Sequence, residues 1–140
     1  MGTRSTISIK TSEDKGQTVY CHWDGYPSNN GKILKEHYNT EEKVKALIKL
    51  GDMSSLEASI ERPEGHSYDK KVPGHTVFYG RDRGEKKVGP TNFKGMPTRK
   101  EEWNYLFQDG EWLVANSDDS FQPLTDTIIK DEKSYSVHLR

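Results

Sequence analysis

Alternating hydrophobic and polar residues near the N-terminus predict a β-hairpin. Two alternating runs flank the turn sequence SEDKG at residues 12–16. Successive strand side chains point to opposite faces, so each run divides into two sets. The apolar set, which should face the core, is Ile7, Ile9, Val19, Cys21 and Trp23. The opposite face should carry Tyr20, His22 and Asp24.

Helical spacing predicts two helices after this hairpin. The first should be about two turns long and rests on Ile33, Leu34, His37 and Tyr38. The second should begin after a cap at Asn39 or Thr40 and end near Gly51. Its buried stripe is predicted to be Val44, Leu47 and Ile48.

The second half of the chain has one strong hairpin signal and several weaker ones. Residues 103–116, WNYLFQDGEWLVAN, contain the turn Asp109-Gly110, which favours a two-residue type I′ turn. Phe107 should then oppose Trp112. Residues 52–74 predict a short turn around 54–60 and then a loop, and HTVFYG at 75–80 predicts a strand running into the charged turn RDRGEKKVGP. A short helix at 124–129 and a last strand or tail in SYSVHLR complete the expectation.

Together these elements predict one α+β domain over residues 1–140. We expect a small antiparallel sheet built from hairpins, with two or three short helices packed on it. Hydrophobic and charged residues each make up 31% of the chain and aromatic residues 10%, so the core should be thin and rich in rings. Trp103 and Trp112 are therefore predicted to lie in the core.

Charge and targeting signals narrow the functional classes. The chain has 21 basic and 22 acidic residues, evenly spread, and overall charge gives nucleic-acid binding no support. No apolar run is long enough to span a membrane, and the first residues do not form a signal peptide. One cysteine cannot form an internal disulfide. A cytoplasmic location is the expectation.

The stretch YCHWDGYP at residues 20–27 concentrates reactive residue types. Cys21 is in phase with the apolar face, so core packing is favoured over a nucleophilic role. Cys21 and His22 point to opposite faces and cannot easily share a metal ion, so no metal and no cofactor are predicted. The simplest interpretation of His22 and Asp24 is hydrogen bonding to the following turn.

The stretch YGRDRGE at residues 79–85 adds paired arginines around a carboxylate. Two guanidinium groups can hold an anion, although a solvated turn with a local ion pair explains the pattern equally well. If residues 76–80 pair beside residues 19–23, both segments meet at one rim. The predicted site for an anionic, nucleotide-like ligand is then His22, Asp24, Tyr26, Arg81, Asp82 and Arg83.

Five segments resemble a group of short bacteriophage and prophage-associated bacterial proteins: TRSTI, YCHWDGYP, GKILKEHY, LGDMSSL and FYGRDRGE. The similarity covers residues 3–85, with a weaker echo in YLFQDGEW. It implies a small, cytoplasmic, phage-encoded accessory protein and brings no catalytic residue with it. The stretch IERPEGHSYDKKVPG, residues 60–74, looks like a variable insertion, so the resemblance assigns no role to His66 or His75.

Three functions follow from these observations. The first is a non-enzymatic binding module for a host protein or an anionic nucleotide-like ligand. The alternative is a small hydrolase or phosphodiesterase in which His22 acts as general acid/base, Asp24 orients it, and Arg81 or Arg83 stabilises anionic charge. The third is a structural or oligomerising component.

Overall fold

The N-terminal hairpin forms as predicted. A computed structural model describes residues 2–98, 101–117 and 120–131. In it β1 (Ser5–Ser12) and β2 (Lys15–Cys21) pair antiparallel, with Ile7 opposite Val19. The SYSVHLR segment predicted as a last strand or tail lies outside the described residues.

Six further strands complete a mixed sheet. They are β3 (Met53–Ser55), β4 (Val77–Phe78), β5 (Thr91–Lys94), β6 (Trp103–Gln108), β7 (Glu111–Asn116) and β8 (Gln122–Pro123). The strand order is β4-β3-β2-β1-β6-β7-β8, and β5 pairs with β2. Prediction from sequence missed the short strands β3, β5 and β8.

The α+β class is confirmed, but the sheet is not antiparallel throughout. β1 pairs parallel with β6, and β2 pairs parallel with β3 at Cys21 and Met53. Between β2 and β3 the chain forms two helices and returns in the same direction, which a tight hairpin turn cannot achieve. The two predicted hairpins are therefore joined by the parallel pairing of β1 with β6, and a second parallel pairing adds β3 to β2.

The predicted helices are confirmed as α1 (Lys32–His37) and α2 (Glu41–Lys49). A π-helical turn, Pro27–Gly31, leads directly into α1. Thr40 caps α2 by accepting a hydrogen bond from the Lys43 backbone N–H at 3.2 Å, and Gly51 follows with φ of 88°. The C-terminal helix is α4 (Asp126–Lys130).

The prediction that residues 75–80 form a strand running into a charged turn is wrong after the first residues of that segment. The strand β4 stops at Phe78, and Tyr79–Arg83 form the short helix α3. Gly84, with φ of 76°, ends this helix in the left-handed conformation. Arg81 and Arg83 therefore lie on one helical turn.

The Asp109-Gly110 hairpin has the predicted register. Phe107 lies opposite Trp112 and Tyr105 opposite Val114 across β6 and β7. Positive φ angles of 52° at Asp109 and 79° at Gly110 agree with a type I′ turn.

One hydrophobic core joins the helices to the sheet. Its members include Ile7, Ile9, Val19, Cys21, Leu34, Val44, Leu47, Ile48, Met53, Phe78, Tyr105 and Trp112. The Trp112 indole donates to the Tyr38 carbonyl at 2.8 Å, while Trp103 is half-buried against the core. Both tryptophans therefore contribute to the core, as predicted.

Trp23 is the exception to the predicted apolar face, because it is 42% exposed. Regular pairing in β2 ends at Cys21, and Asp24 then adopts a left-handed conformation with φ of 53°. The turn brings Gly25 against β1, where an added Cβ would lie 2.7 Å from the Ser5 Cβ. Strand periodicity thus stops before Trp23.

Candidate functional site

Residues 60–75 form a closed loop rather than an open connection. At its neck the Ser59 N–H donates to the Gly74 carbonyl at 3.2 Å, and the Thr76 N–H donates to the Ser59 carbonyl at 2.8 Å. A loop of this length with adjacent ends is an Ω-loop. The Ω-loop corresponds to the stretch that looks like an insertion in the sequence.

A buried carboxylate, Asp82, fastens the Ω-loop to α3. The Asp82 side chain is fully buried, and it accepts hydrogen bonds from the Phe78 N–H at 2.8 Å and from the Arg81 Nε at 2.9 Å. The Arg62 Nε and the His66 Nε2 lie 3.7 and 3.5 Å from its oxygens. Asp82 is therefore surrounded by cationic and donor groups from the loop and the helix.

The surroundings of Asp82 favour its ionised form. Burial raises the pKa of the carboxyl, but the hydrogen bonds from Arg81 and the Phe78 N–H, with the charges of Arg81 and His66, outweigh burial and lower the pKa. A buried carboxylate needs such donors to remain charged. This arrangement is typical of a structural ion network.

Arg81 is committed to the same network. Its guanidinium donates to Asp82, to the Ile60 carbonyl and, at 3.3 Å, to the Thr76 carbonyl, and it stacks 4.8 Å from the Phe78 ring centroid. The ligand-binding role predicted for Arg81 and Asp82 therefore needs correction. The Asp82 side chain is buried, and the Arg81 donors are directed at groups within the fold.

The two halves of the predicted rim do not pair directly. We expected residues 76–80 beside residues 19–23, but β3 lies between β2 and β4. Phe78 pairs with Met53, which in turn pairs with Cys21. The segments come close only across this intervening strand.

Cys21 lies in the core, as predicted. It is fully buried, and burial raises the pKa of its thiol to about 12. The Asn30 amide donates to its sulfur at 3.4 Å. These features favour an unreactive thiol.

The predicted His22–Asp24 acid/base pair does not form. Within the described residues, no hydrogen bond or ion pair joins these two side chains; instead the His22 Nδ1 lies 2.7 Å from the Tyr20 hydroxyl. The Tyr26 hydroxyl donates to an Asp24 carboxylate oxygen at 3.3 Å. Asp24 thus interacts with its own turn, as the simplest interpretation of the sequence suggested.

The sheet face opposite the core carries a row of aromatic rings. Tyr20 and His22 alternate with the core residue Cys21, and the Tyr20 and His22 ring centroids are 6.0 Å apart. The Trp23 ring meets His22 edge-on at 4.7 Å. These three residues place a polar aromatic group at the end of β2.

Tyr79 lies at the start of α3, directly after β4, and β3 separates β4 from β2. Burial raises the pKa of the Tyr79 hydroxyl, and this effect outweighs a hydrogen bond with Ser54 on β3, which lowers the pKa. Burial also raises the pKa of Tyr20; Arg4 opposes this, and Glu101 and Tyr79 add smaller increases.

The Ω-loop adds Tyr68, and α3 adds Arg83. The Tyr68 and Tyr79 ring centroids are 6.0 Å apart, and the Arg83 guanidinium carbon lies 4.7 and 5.1 Å from them. Arg83 also pairs with Glu85 at 3.1 Å, and its side chain is 43% exposed. We define the aromatic–arginine surface as Tyr20, His22, Trp23, Tyr68, Tyr79 and Arg83.

Four surface cavities of about 390 to 650 Å³ are lined by other residues. Two of these cavities share Asn39, Phe107 and Gly110, near the tip of the β6–β7 hairpin. His22, Asp24 and Arg83 line none of the four.

Comparisons with known proteins identify no similar protein. No protein-family model, curated protein or solved structure matches the chain. Within residues 2–98, 101–117 and 120–131, no helix is long and apolar enough to cross a membrane. In that same part of the chain, no three His, Cys, Asp or Glu residues are grouped to hold a metal ion.

Sequence reasoning found three members of this surface and missed the others. It selected His22 and Arg83 as site residues and placed Tyr20 on the polar face of the hairpin. Tyr68 lies in the stretch predicted as a loop, Tyr79 lies in the predicted strand HTVFYG, and Trp23 was assigned to the core. A signal that could have found Tyr68 and Tyr79 is the local enrichment of tyrosine near paired arginines, which is typical of contact surfaces.

Proposed function

We propose that this chain is a phage-type accessory protein that acts as a non-enzymatic binding module for a host protein. The observation that carries the proposal is the aromatic–arginine surface, in which Trp23 meets His22 at the end of β2 and Arg83 stacks with Tyr68 and Tyr79 at α3. Trp, Tyr and Arg are the residue types that dominate the binding energy of protein interfaces. The resemblance to phage-associated proteins supports an accessory role.

Exposure within this surface supports contact with a partner. Trp23 and Tyr68 are 42% and 37% exposed, and both are large apolar side chains. Tyr20 and Tyr79 are more buried beside them, so they hold the exposed rings in place. A partner could therefore bury rigid rings at a small cost in side-chain entropy.

Arg83 gives the surface a preference for an acidic contact. Its stacking on two tyrosine rings holds the guanidinium in place, whereas its exposed ion pair with Glu85 is weak and exchangeable. A partner carboxylate can take the place of Glu85. We therefore propose a protein partner that presents an acidic side chain beside an apolar one.

The hydrolase alternative lacks its main geometric requirement. It needed Asp24 to orient His22, and the His22 Nδ1 bonds the Tyr20 hydroxyl instead. It also needed Arg81 or Arg83 at an anion; Arg81 is bound to Asp82, and Arg83 is paired with Glu85. These contacts favour the binding module.

The test uses single substitutions at exposed positions. Immobilised wild-type protein and the variants Trp23→Ala, Tyr68→Ala and Arg83→Ala are incubated with bacterial host lysate, and a captured protein is purified and titrated by calorimetry. We expect each variant to weaken binding at least about tenfold, the usual loss at a hot spot.

Met96→Ala is the matched control, because Met96 is 47% exposed and lies outside this surface. The affinity of the captured protein for Met96→Ala should stay within about twofold of its affinity for wild type, which corresponds to a difference in binding free energy of less than about 0.5 kcal/mol. Equal binding by wild type and all three surface variants would contradict the proposal. Retention of a nucleotide from a ligand panel, with no protein partner, would favour the anionic-ligand alternative.

A further inference from the structure

Two of the surface cavities meet at the tip of the β6–β7 hairpin, and together they form one groove across this end of the fold. Their volumes are about 640 and 650 Å³, and both are lined by Asn39, Phe107 and Gly110. The first extends to the turn of the β1–β2 hairpin, and the second extends to the start of α4. We call the two together the hairpin groove. The described residues that line it include no member of the aromatic–arginine surface, so it is a separate candidate site.

Aromatic rings that belong to the core form the floor of the hairpin groove. The Phe107 and Trp112 ring centroids are 5.2 Å apart, and the Trp112 indole donates to the Tyr38 carbonyl at 2.8 Å. Phe107 is 4% exposed and Trp112 is 6% exposed, so core packing fixes both rings. Pro123 adds an exposed apolar ring to the same cavity as Trp112. The floor is therefore apolar and formed before any ligand binds, as in typical binding sites.

Carboxylates line the hairpin groove on both sides of the shared residues. The acidic lining residues are Glu13, Glu41 and Asp109 in the first cavity, and Glu111 and Asp126 in the second. The basic lining residues are Lys10 and Lys35. Five carboxylates and two lysines give the lining a formal charge of −3, whereas the whole chain has a formal charge of −1. Negative charge is thus concentrated at this groove.

Both lysines of the groove are already bound to groups within the fold. The Lys10 ammonium donates to the Glu13 carbonyl at 2.7 Å. The Lys35 ammonium donates to the Leu124 carbonyl at 2.7 Å and pairs with Asp126 at 3.2 Å. An anionic ligand would have to compete with these contacts, so the lysines do not make the groove an anion site.

The remaining carboxylates are available to a cation. Glu13, Asp109 and Glu111 are exposed, and none of them forms an ion pair with another described residue. The N-terminus of α2 also lies at the groove and carries a positive partial charge, but Glu41 and Glu42 in its first turn offset that charge. The groove therefore attracts positive charge.

We propose that the hairpin groove binds a peptide segment of a protein partner that carries Lys or Arg side chains on both sides of an apolar one. The exposed carboxylates bind the basic side chains, and the ring floor contacts the apolar side chain. Because carboxylates lie in both cavities, the ligand must span both, which favours a peptide over a small cation. This preference is opposite to that of the aromatic–arginine surface, so the inference does not depend on the proposed function, and each can fail without the other.

The test begins with a displayed library of random peptides selected on the immobilised full chain, and enriched peptides are synthesised and titrated by NMR. We expect their sequences to carry Lys or Arg on both sides of an apolar residue. Their addition should shift the Gly110 amide and Trp112 indole signals. Exposed charges are screened by salt, so affinity should fall at least about fivefold between about 0.1 M and 1 M NaCl.

A neutralised variant tests the role of charge without changing the shape of the groove. It combines Glu13→Gln, Asp109→Asn and Glu111→Gln. Asparagine suits position 109, where φ is 52° in a type I′ turn, so the hairpin should keep its register. We expect the affinity for a selected peptide to fall about tenfold, because three exposed ion pairs together contribute a change of that order.

The matched control makes the same three types of change at exposed positions outside the groove: Glu64→Gln, Asp69→Asn and Glu102→Gln. Its affinity for the peptide should stay within about twofold of wild type. Equal binding by the neutralised variant and this control would overturn the proposal.

The wild-type measurements decide the matter even if a variant does not fold. The proposal is wrong if the library yields no peptide, if the enriched peptides lack basic residues, or if they shift signals of the aromatic–arginine surface and not those of the groove. Spermine serves as the small-cation probe. If spermine shifts the groove signals and no peptide does, the groove is a site for a small cation and the peptide proposal is overturned.

Discussion

Replacement of Asp82 by asparagine removes the charge that holds the Ω-loop on α3. The side chain is fully buried, and it accepts from the Arg81 Nε at 2.9 Å and Nη2 at 3.2 Å. Asparagine has nearly the same shape, so the change removes the ion pair without opening a cavity. Arg81 keeps its charge but faces a neutral amide in place of the carboxylate.

The size of the effect follows from the burial of the two partners. Breaking a buried ion pair by removing one partner typically costs about 3–5 kcal/mol. Arg81 is 21% exposed, so water can partly solvate it after the loss, and we expect a value near the lower end, about 3 kcal/mol. The double-mutant cycle with Arg81→Met should give a coupling energy of at least about 1.5 kcal/mol, the lower range for a charged hydrogen bond.

Urea unfolding followed by tryptophan fluorescence measures these free energies. The control cycle is Glu41–Lys45, an i,i+4 pair at 3.6 Å whose side chains are 63% and 56% exposed. Its coupling should be about 0.3–0.5 kcal/mol. If the Asp82–Arg81 coupling is no larger than the control, the charge of Asp82 does not stabilise its pair with Arg81.

Three further predictions follow from single groups. The pKa of Asp82 is lower in the folded protein than in the unfolded chain. The stability that Asp82 contributes should therefore be complete above its unfolded-state pKa and disappear as the pH falls from about 4 towards its folded-state pKa. Acid unfolding of wild type and Asp82→Asn measures this. Cys21 is fully buried with a pKa of about 12, so Ellman's reagent should react only at the rate at which the protein opens, and rapid labelling would contradict this. Gly110→Ala should cost about 1–2 kcal/mol in urea unfolding because φ is 79°, whereas Gly89→Ala, which has open space and no positive φ, should be neutral.

Local signals were sufficient for the elements that depend on nearby residues. The Asp109-Gly110 turn fixed the register of its hairpin, and the cap at Asn39 or Thr40 marked the start of α2. In both cases the deciding interactions span only a few residues, so they can be inferred from the order of residues alone. The buried position of Cys21 was predictable for the same reason, since it follows the period of its strand.

The candidate site was less predictable, because it joins residues that are distant along the chain. The sequence placed Arg81 and Asp82 at a ligand, but their partners Ile60, Arg62 and His66 come from a loop about 20 residues earlier. Burial of a charged group depends on whether distant donors reach it, and periodicity does not report that. The same limit concealed the contacts of Tyr68 with Arg83.

The sequence by itself therefore determined the α+β class, the two hairpins, the paired helices and the inward position of Cys21. Only the tertiary structure decided that β3 separates β2 from β4 and that Asp82 is buried. It also decided that Trp23 is exposed and that Tyr68 stacks beside Tyr79. The physical reason is that turns, caps and strand alternation are set by neighbouring residues, whereas strand order and charge burial depend on contacts formed after the chain has folded.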